Sequence, residues 1–69
     1  MTVTLNIMYN ATIQNELRNY IRYGNIIEDN SYYTRDNHCY RFMVVEYENH
    51  NYDIEMIDGE FTRVEIMMD

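Results

Sequence analysis

The side chains in this sequence that could hold a metal, attack a substrate or move a proton are His38, His50, Cys39 and twelve carboxylates. A zinc site gathers several thiolate and imidazole donors and announces itself by spacings such as CxxC, HxxxH or HExxH; none occurs. His38 and Cys39 are adjacent, and neighbours on an extended chain point to opposite faces. Their plain readings are a strand-edge histidine at His38, a turn histidine at His50 and a small buried apolar residue at Cys39. Calcium would suit the acids, yet the DxDxDG spacing of a calcium loop is missing. Glu46 with Asp53, or Asp53 with Glu65, could serve as an acid and base pair only inside a pocket that separates their pKa values, and no long loop is present to build one. The sequence therefore predicts a protein that is not an enzyme and uses no metal or cofactor.

The carboxylates instead segregate. Residues 46–69 hold Glu46, Glu48, Asp53, Glu55, Asp58, Glu60, Glu65 and Asp69 against Arg63 alone, and so carry the entire net charge of −7. In residues 1–45, Glu16, Glu28, Asp29 and Asp36 are balanced by Arg18, Arg22, Arg35 and Arg41. A strongly negative region attracts basic surfaces and repels nucleic acid and anionic membranes. Tyr32, Tyr33, Tyr40, Tyr47 and Tyr52 could stack on bases, but affinity for a polyanion comes mainly from lysine and arginine contacts to phosphate, and the chain has no lysine. Direct nucleic-acid binding is not expected. The absence of lysine beside nine asparagines and eight isoleucines fits either selection for a negative surface or chance in a short chain.

Sixty-nine residues make one small domain, 1–69, with a core near the lower limit for unaided folding. Its 46% hydrophobic content and eight tyrosines argue against disorder. A single cysteine excludes an internal disulfide and, with no leader pattern, points to a reducing cytoplasm. No apolar run approaches the roughly 20 residues of a membrane span.

Thr2 to Tyr9 alternates as a half-buried strand, with Val3, Leu5, Ile7 and Tyr9 on one face. Ile13, Leu17, Tyr20 and Ile21 then form the apolar stripe of a helix, with Asn10 or Thr12 as cap and Gly24 in a left-handed position past its end. Residues 25–37 read as a loop with a turn at Glu28-Asp29-Asn30-Ser31, followed by a short edge strand at Tyr32-Tyr33-Thr34. A three-strand meander follows, at about 39–48, 51–57 and 61–68. The expected fold class is α+β: an N-terminal strand and one helix packed on an antiparallel meander, β-α-β-β-β, with the extra edge strand.

Burying a carboxylate is costly, so Tyr52, Ile54 and Met56 face inward while Asp53 and Glu55 face out. A two-residue turn at Asn49-His50 would pair Glu48 with Asn51, Val45 with Ile54 and Tyr47 with Tyr52. A three-residue loop, Asp58-Gly59-Glu60, would bring Val64 beside Ile54 and Ile66 beside Tyr52. The outer face would then carry Glu46, Asp53 and Glu65 in one row, Val44, Glu55 and Arg63 in the next, and Phe42, Ile57 and Phe61 in a third. Glu48 would extend the acidic end, with Asp58 and Glu60 at the loop tip. Strands about 4.8 Å apart, with alternate residues about 6.8 Å apart, make a carboxylate grid whose longer spacing is roughly that of successive phosphates. Crowding on such a grid predicts that mild acidification relieves repulsion and does not weaken the fold.

In size, lone cysteine, AT-rich composition and acidic folded surface, the chain resembles the small inhibitors that phages and mobile elements direct against host nucleic-acid enzymes, including anti-CRISPR proteins and DNA mimics. The resemblance covers general character and no shared motif. It implies a viral protein in the host cytosol that occupies the basic nucleic-acid-binding groove of a nuclease or other effector. On this reading Glu46, Glu48, Asp53, Glu55, Asp58, Glu60 and Glu65 are the charged contacts, with Phe42, Ile57 and Phe61 as apolar contacts beside them. The alternative is a regulatory interaction module or homodimer, joined by sheet or by a patch of Phe42, Ile57, Phe61 and Met67.

Overall fold

The computed structural model describes residues 2–6 and 10–67. Its elements are β1 (Thr2–Asn6), α1 (Ala11–Tyr23), β2 (Asn25–Tyr33), β3 (Cys39–Tyr47), β4 (His50–Ile57) and β5 (Glu60–Met67). The strands form one antiparallel sheet in the order β1-β5-β4-β3-β2. This is the expected α+β fold: a strand, a helix and an antiparallel meander, with an additional strand. Ile7, Met8 and Tyr9 of the expected first strand, and Met68 and Asp69 at the other end, lie outside the described residues.

The helix starts where Asn10 Oδ1 accepts the Ile13 amide at 3.1 Å, so Asn10 is the cap and Thr12 is not. Its stripe covers one face of the sheet. Leu17 is buried with Met43, Val45, Ile54, Phe61 and Val64, while Ile13, Tyr20 and Ile21 pack around that cluster. Gly24 ends the helix with φ −85, not in the left-handed region. Glycine is needed there for space: an added Cβ would lie 2.5 Å from the Tyr20 carbonyl oxygen and 2.6 Å from that of Glu46.

The largest departure from expectation is β2. The expected edge strand at Tyr32-Tyr33 is present but starts at Asn25, because residues 25–31, read as a loop and turn, join it in a nine-residue strand paired with β3 from Asn25 opposite Glu46 to Tyr33 opposite Cys39, with a bulge at Ile27. Every one of its residues is exposed. Polar side chains normally signal a turn, but an edge strand needs no buried face, and pairing with β3 satisfies its backbone on one side. Asp29 is further tied by a bidentate ion pair to Arg41, at 2.8 and 2.6 Å.

Both meander turns differ in detail from the sequence reading. The β3–β4 turn is Glu48-Asn49, with φ of 50 and 67, so Tyr47 faces His50, Val45 faces Tyr52 and Met43 faces Ile54. Pairing has shifted by two residues, which leaves every side chain on its expected face because faces repeat with period two. Asp58-Gly59, with φ of 52 and 83, is a two-residue turn in place of the expected three-residue loop. The odd residue is absorbed by a bulge: Met56 faces Phe61 and Glu55 faces Arg63, leaving Thr62 over. Beyond the bulge Ile54 faces Val64 and Tyr52 faces Ile66, as expected. Before it the face of β5 is reversed, so Phe61 turns inward and is only 2% exposed.

Candidate protein-docking face

The helix covers only one side of the sheet. On the other, cross-strand register places Glu28, Val44, Asp53, Glu65 and Thr4 in one row and Asn30, Phe42, Glu55 and Arg63 in the next. Asp53 and Glu65 stand directly opposite each other, an arrangement that is destabilising in a sheet. Arg63 offsets part of this charge, reaching Glu55 at 3.4 Å and Glu65 at 3.8 Å. Its guanidinium and both carboxylates stay partly open to water, where such pairs contribute about 0–1 kcal/mol. Glu55 also accepts from the Thr62 hydroxyl at 2.9 Å, which fixes its position. Among the described residues no cation pairs with Asp53 or Glu28. The two rows enclose a shallow depression of about 230 Å³, lined by Glu28, Asn30, Phe42, Asp53, Glu55 and Arg63 among others.

An aromatic strip flanks the acids. Tyr32 stacks on Tyr40 at 5.5 Å and on Phe42 at 6.0 Å, and Ile57 lies opposite Tyr40. Phe42 and Ile57 are thus on the outer face as expected, both half-buried.

Other expected contacts fall elsewhere. Phe61 belongs to the core, with the Arg18 guanidinium 5.3 Å from its ring centroid. Glu46 keeps the outer face but moves one row away, opposite Asn25 and Asn51, because of the two-residue register shift. Glu48 is a turn residue whose charge acts on the inward Tyr52; burial first, then that charge, raises the Tyr52 hydroxyl pKa. Glu60 is exposed at the start of β5, opposite Ile57. Met67 lies opposite Asn51, at the other end of the face from Ile57, so the apolar patch of Phe42, Ile57, Phe61 and Met67 does not assemble.

Asp58 is a latch between two turns. Its Oδ1 accepts the Cys39 amide at 2.8 Å, and its Oδ2 lies 2.7 Å from His38 Nδ1. These bonds, the amide foremost, lower its pKa, and the Arg41 guanidinium lowers that of Asp29. Both shifts oppose the sign that crowding alone suggested. A carboxylate with a depressed folded pKa contributes stability that is present above its unfolded pKa and is lost as pH falls through the folded value. We therefore expect a melting temperature that is flat from pH 7 to 5 and falls below about pH 4. A thermal melt series checks this; a midpoint that keeps rising as pH falls through that range would contradict it.

The sequence reading missed Glu28, Tyr32 and Tyr40 as members of this face. Their signal was parity: Glu28, Asn30 and Tyr32 alternate as one side of a strand does, but the polar run masked it. Among the described residues, no three His, Cys, Asp or Glu side chains lie together as a metal-binding group, and no helix is long and apolar enough to cross a membrane. Comparison with protein-family models, with characterised proteins and with solved structures finds no match.

Proposed function

We propose that this chain is a non-enzymatic inhibitor of phage or mobile-element type, acting in the host cytosol. On this reading it presents its open sheet face, in place of nucleic acid, to the basic groove of a host nuclease or other DNA-processing protein. The observation that carries the reading is the Glu28, Asp53, Glu65 row with Glu55 beside it, set on the sheet face opposite the helix and offset, among the described residues, by Arg63 alone. Selection for stability alone disfavours opposed carboxylates; a cationic partner turns the same row into an attraction. The strip of Tyr32, Tyr40 and Phe42 adds faces on which arginine side chains can stack.

The test is affinity capture from host cytosol at low and high salt, followed by binding of the captured protein to variants. Asp53→Lys places a cation at the centre of the row, next to Glu65, in a half-buried position on the sheet face opposite the helix. Close interfacial charge pairs couple by about 1.5–7 kcal/mol, so binding should fall at least about tenfold with the melting temperature retained. Asp53→Lys and Glu55→Lys variants that bind as well as the parent would overturn the proposal.

A further inference from the structure

Exposed apolar surface is concentrated on one strand. Among the described residues, the large apolar side chains left open are Ile26, Ile27, Tyr32 and Tyr33 of β2, Tyr23 just before it, and Met67. Among the described residues β2 is an outermost strand, paired only on its β3 side. Edges that must stay unpaired are usually short or carry charges along them; β2 runs nine residues, and its two charged side chains, Glu28 and Asp29, are adjacent in the middle. Its bulge, at Ile27, leaves Glu28 to Tyr33 regular.

We infer that β2 is a homodimerisation strand that pairs antiparallel with β2 of a second copy about a two-fold axis perpendicular to the sheet. Such a contact must be self-complementary, since each residue pair occurs twice, and antiparallel self-pairing sets the start of a strand against its end. β2 has the polarity this requires. Ile26-Ile27 at one end and Tyr32-Tyr33 at the other are apolar, and residues 28–31 between them are polar. Centring the axis on Asn30 sets Asn30 opposite its counterpart, Asp29 opposite Ser31 and Glu28 opposite Tyr32, and brings Tyr33 to the bulged Ile26-Ile27 end, with no like charges face to face. Centring it on Asp29 would oppose two carboxylates. Asp29 is already neutralised by Arg41 of its own chain, so the middle of the seam carries little bare charge.

A strand edge is a small interface compared with the roughly 1,200–2,000 Å² of stable complexes, and each copy carries −7. Dimerisation should therefore be weak, and strengthened by salt, the reverse of binding to a basic partner. The axis keeps both open faces on one side, so the seam would join two acidic rows into one longer surface. The inference does not rest on the proposed inhibitory function.

Sedimentation equilibrium of the full chain, up to about 1 mM, should give a monomer and dimer mixture that shifts to dimer as salt rises. Tyr33→Lys, at a position 76% exposed, should weaken the dimer at least about tenfold while leaving the melting temperature of the dilute protein unchanged. In a Cys39→Ser background, Asn30→Cys should form a disulfide-linked dimer on oxidation, because directly opposed residues of an antiparallel pair have Cα atoms about 4.5–5.5 Å apart, within the separation a disulfide spans; Met67→Cys, on β5, should not. A chain monomeric throughout, a dimer indifferent to Tyr33→Lys, or cross-linking no faster at position 30 than at 67 would each overturn the inference.

Discussion

Gly24→Ala should lower the stability of this fold by about 3 kcal/mol, the upper part of the usual range for overpacking. The new methyl carbon would meet two backbone carbonyl oxygens, Tyr20 at 2.5 Å and Glu46 at 2.6 Å, and Val45 Cγ1 at 3.1 Å. Rotation of a side chain relieves neither of the first two contacts. The Tyr20 carbonyl is also fixed, since it accepts the Gly24 amide at 2.8 Å, so the end of α1 must lift away from β3. A chain of this length has a total stability of roughly 3–10 kcal/mol. The expected result is a melting temperature lower by more than about 10 °C, read by circular dichroism. A change of only a degree or two would show that the helix end moves freely, and would remove the reason given for glycine at this position.

Leu17→Ala should be comparably damaging, costing about 2–5 kcal/mol through lost burial and the cavity left behind. Leu17 is the one fully buried side chain of α1, and its partners Met43, Val45, Ile54, Phe61 and Val64 all come from the sheet. Thirteen residues are marginal as an isolated helix, so α1 depends on this anchor. Ile13, Tyr20 and Ile21 remain half-buried around it, and Tyr20 still stacks on Tyr47 at 4.6 Å. The variant should lose helical signal at a lower denaturant concentration than the parent. Ile21→Ala, on the margin of the same stripe, should cost less; equal losses at the two positions would contradict the view that burial is concentrated at Leu17.

Much of the fold was legible in the chain because local chemistry repeats with the period of each element. The stripe at Ile13, Leu17, Tyr20 and Ile21 marked the helix and the side it buries. Alternation in Tyr52, Ile54 and Met56 against Asp53 and Glu55 assigned the faces of β4, since a carboxylate is expensive to bury. Asp58-Gly59 marked a turn, and the Ile54–Val64 and Tyr52–Ile66 pairs followed from keeping apolar residues together.

Tertiary structure decided what parity leaves open. Parity is blind to a shift of two, so it could not choose between Asn49-His50 and Glu48-Asn49 as the turn, and Glu46 moved one row. It is also broken by a bulge: one extra residue at Thr62 reversed the face of everything between it and the turn, which sent Phe61 from the expected contact surface into the core. The polar run Glu28-Asp29-Asn30-Ser31 reads locally as a turn, and becomes strand only because β3 supplies backbone partners and Arg41 a counter-ion. That single element brought Glu28 into the acidic row, Tyr32 into the aromatic strip and an open apolar edge to the side of the sheet. The residues that could do chemistry were visible from the start. Which of them share a surface depended on pairing between distant segments, whose register is set by the packing of the whole sheet and by no short stretch of sequence.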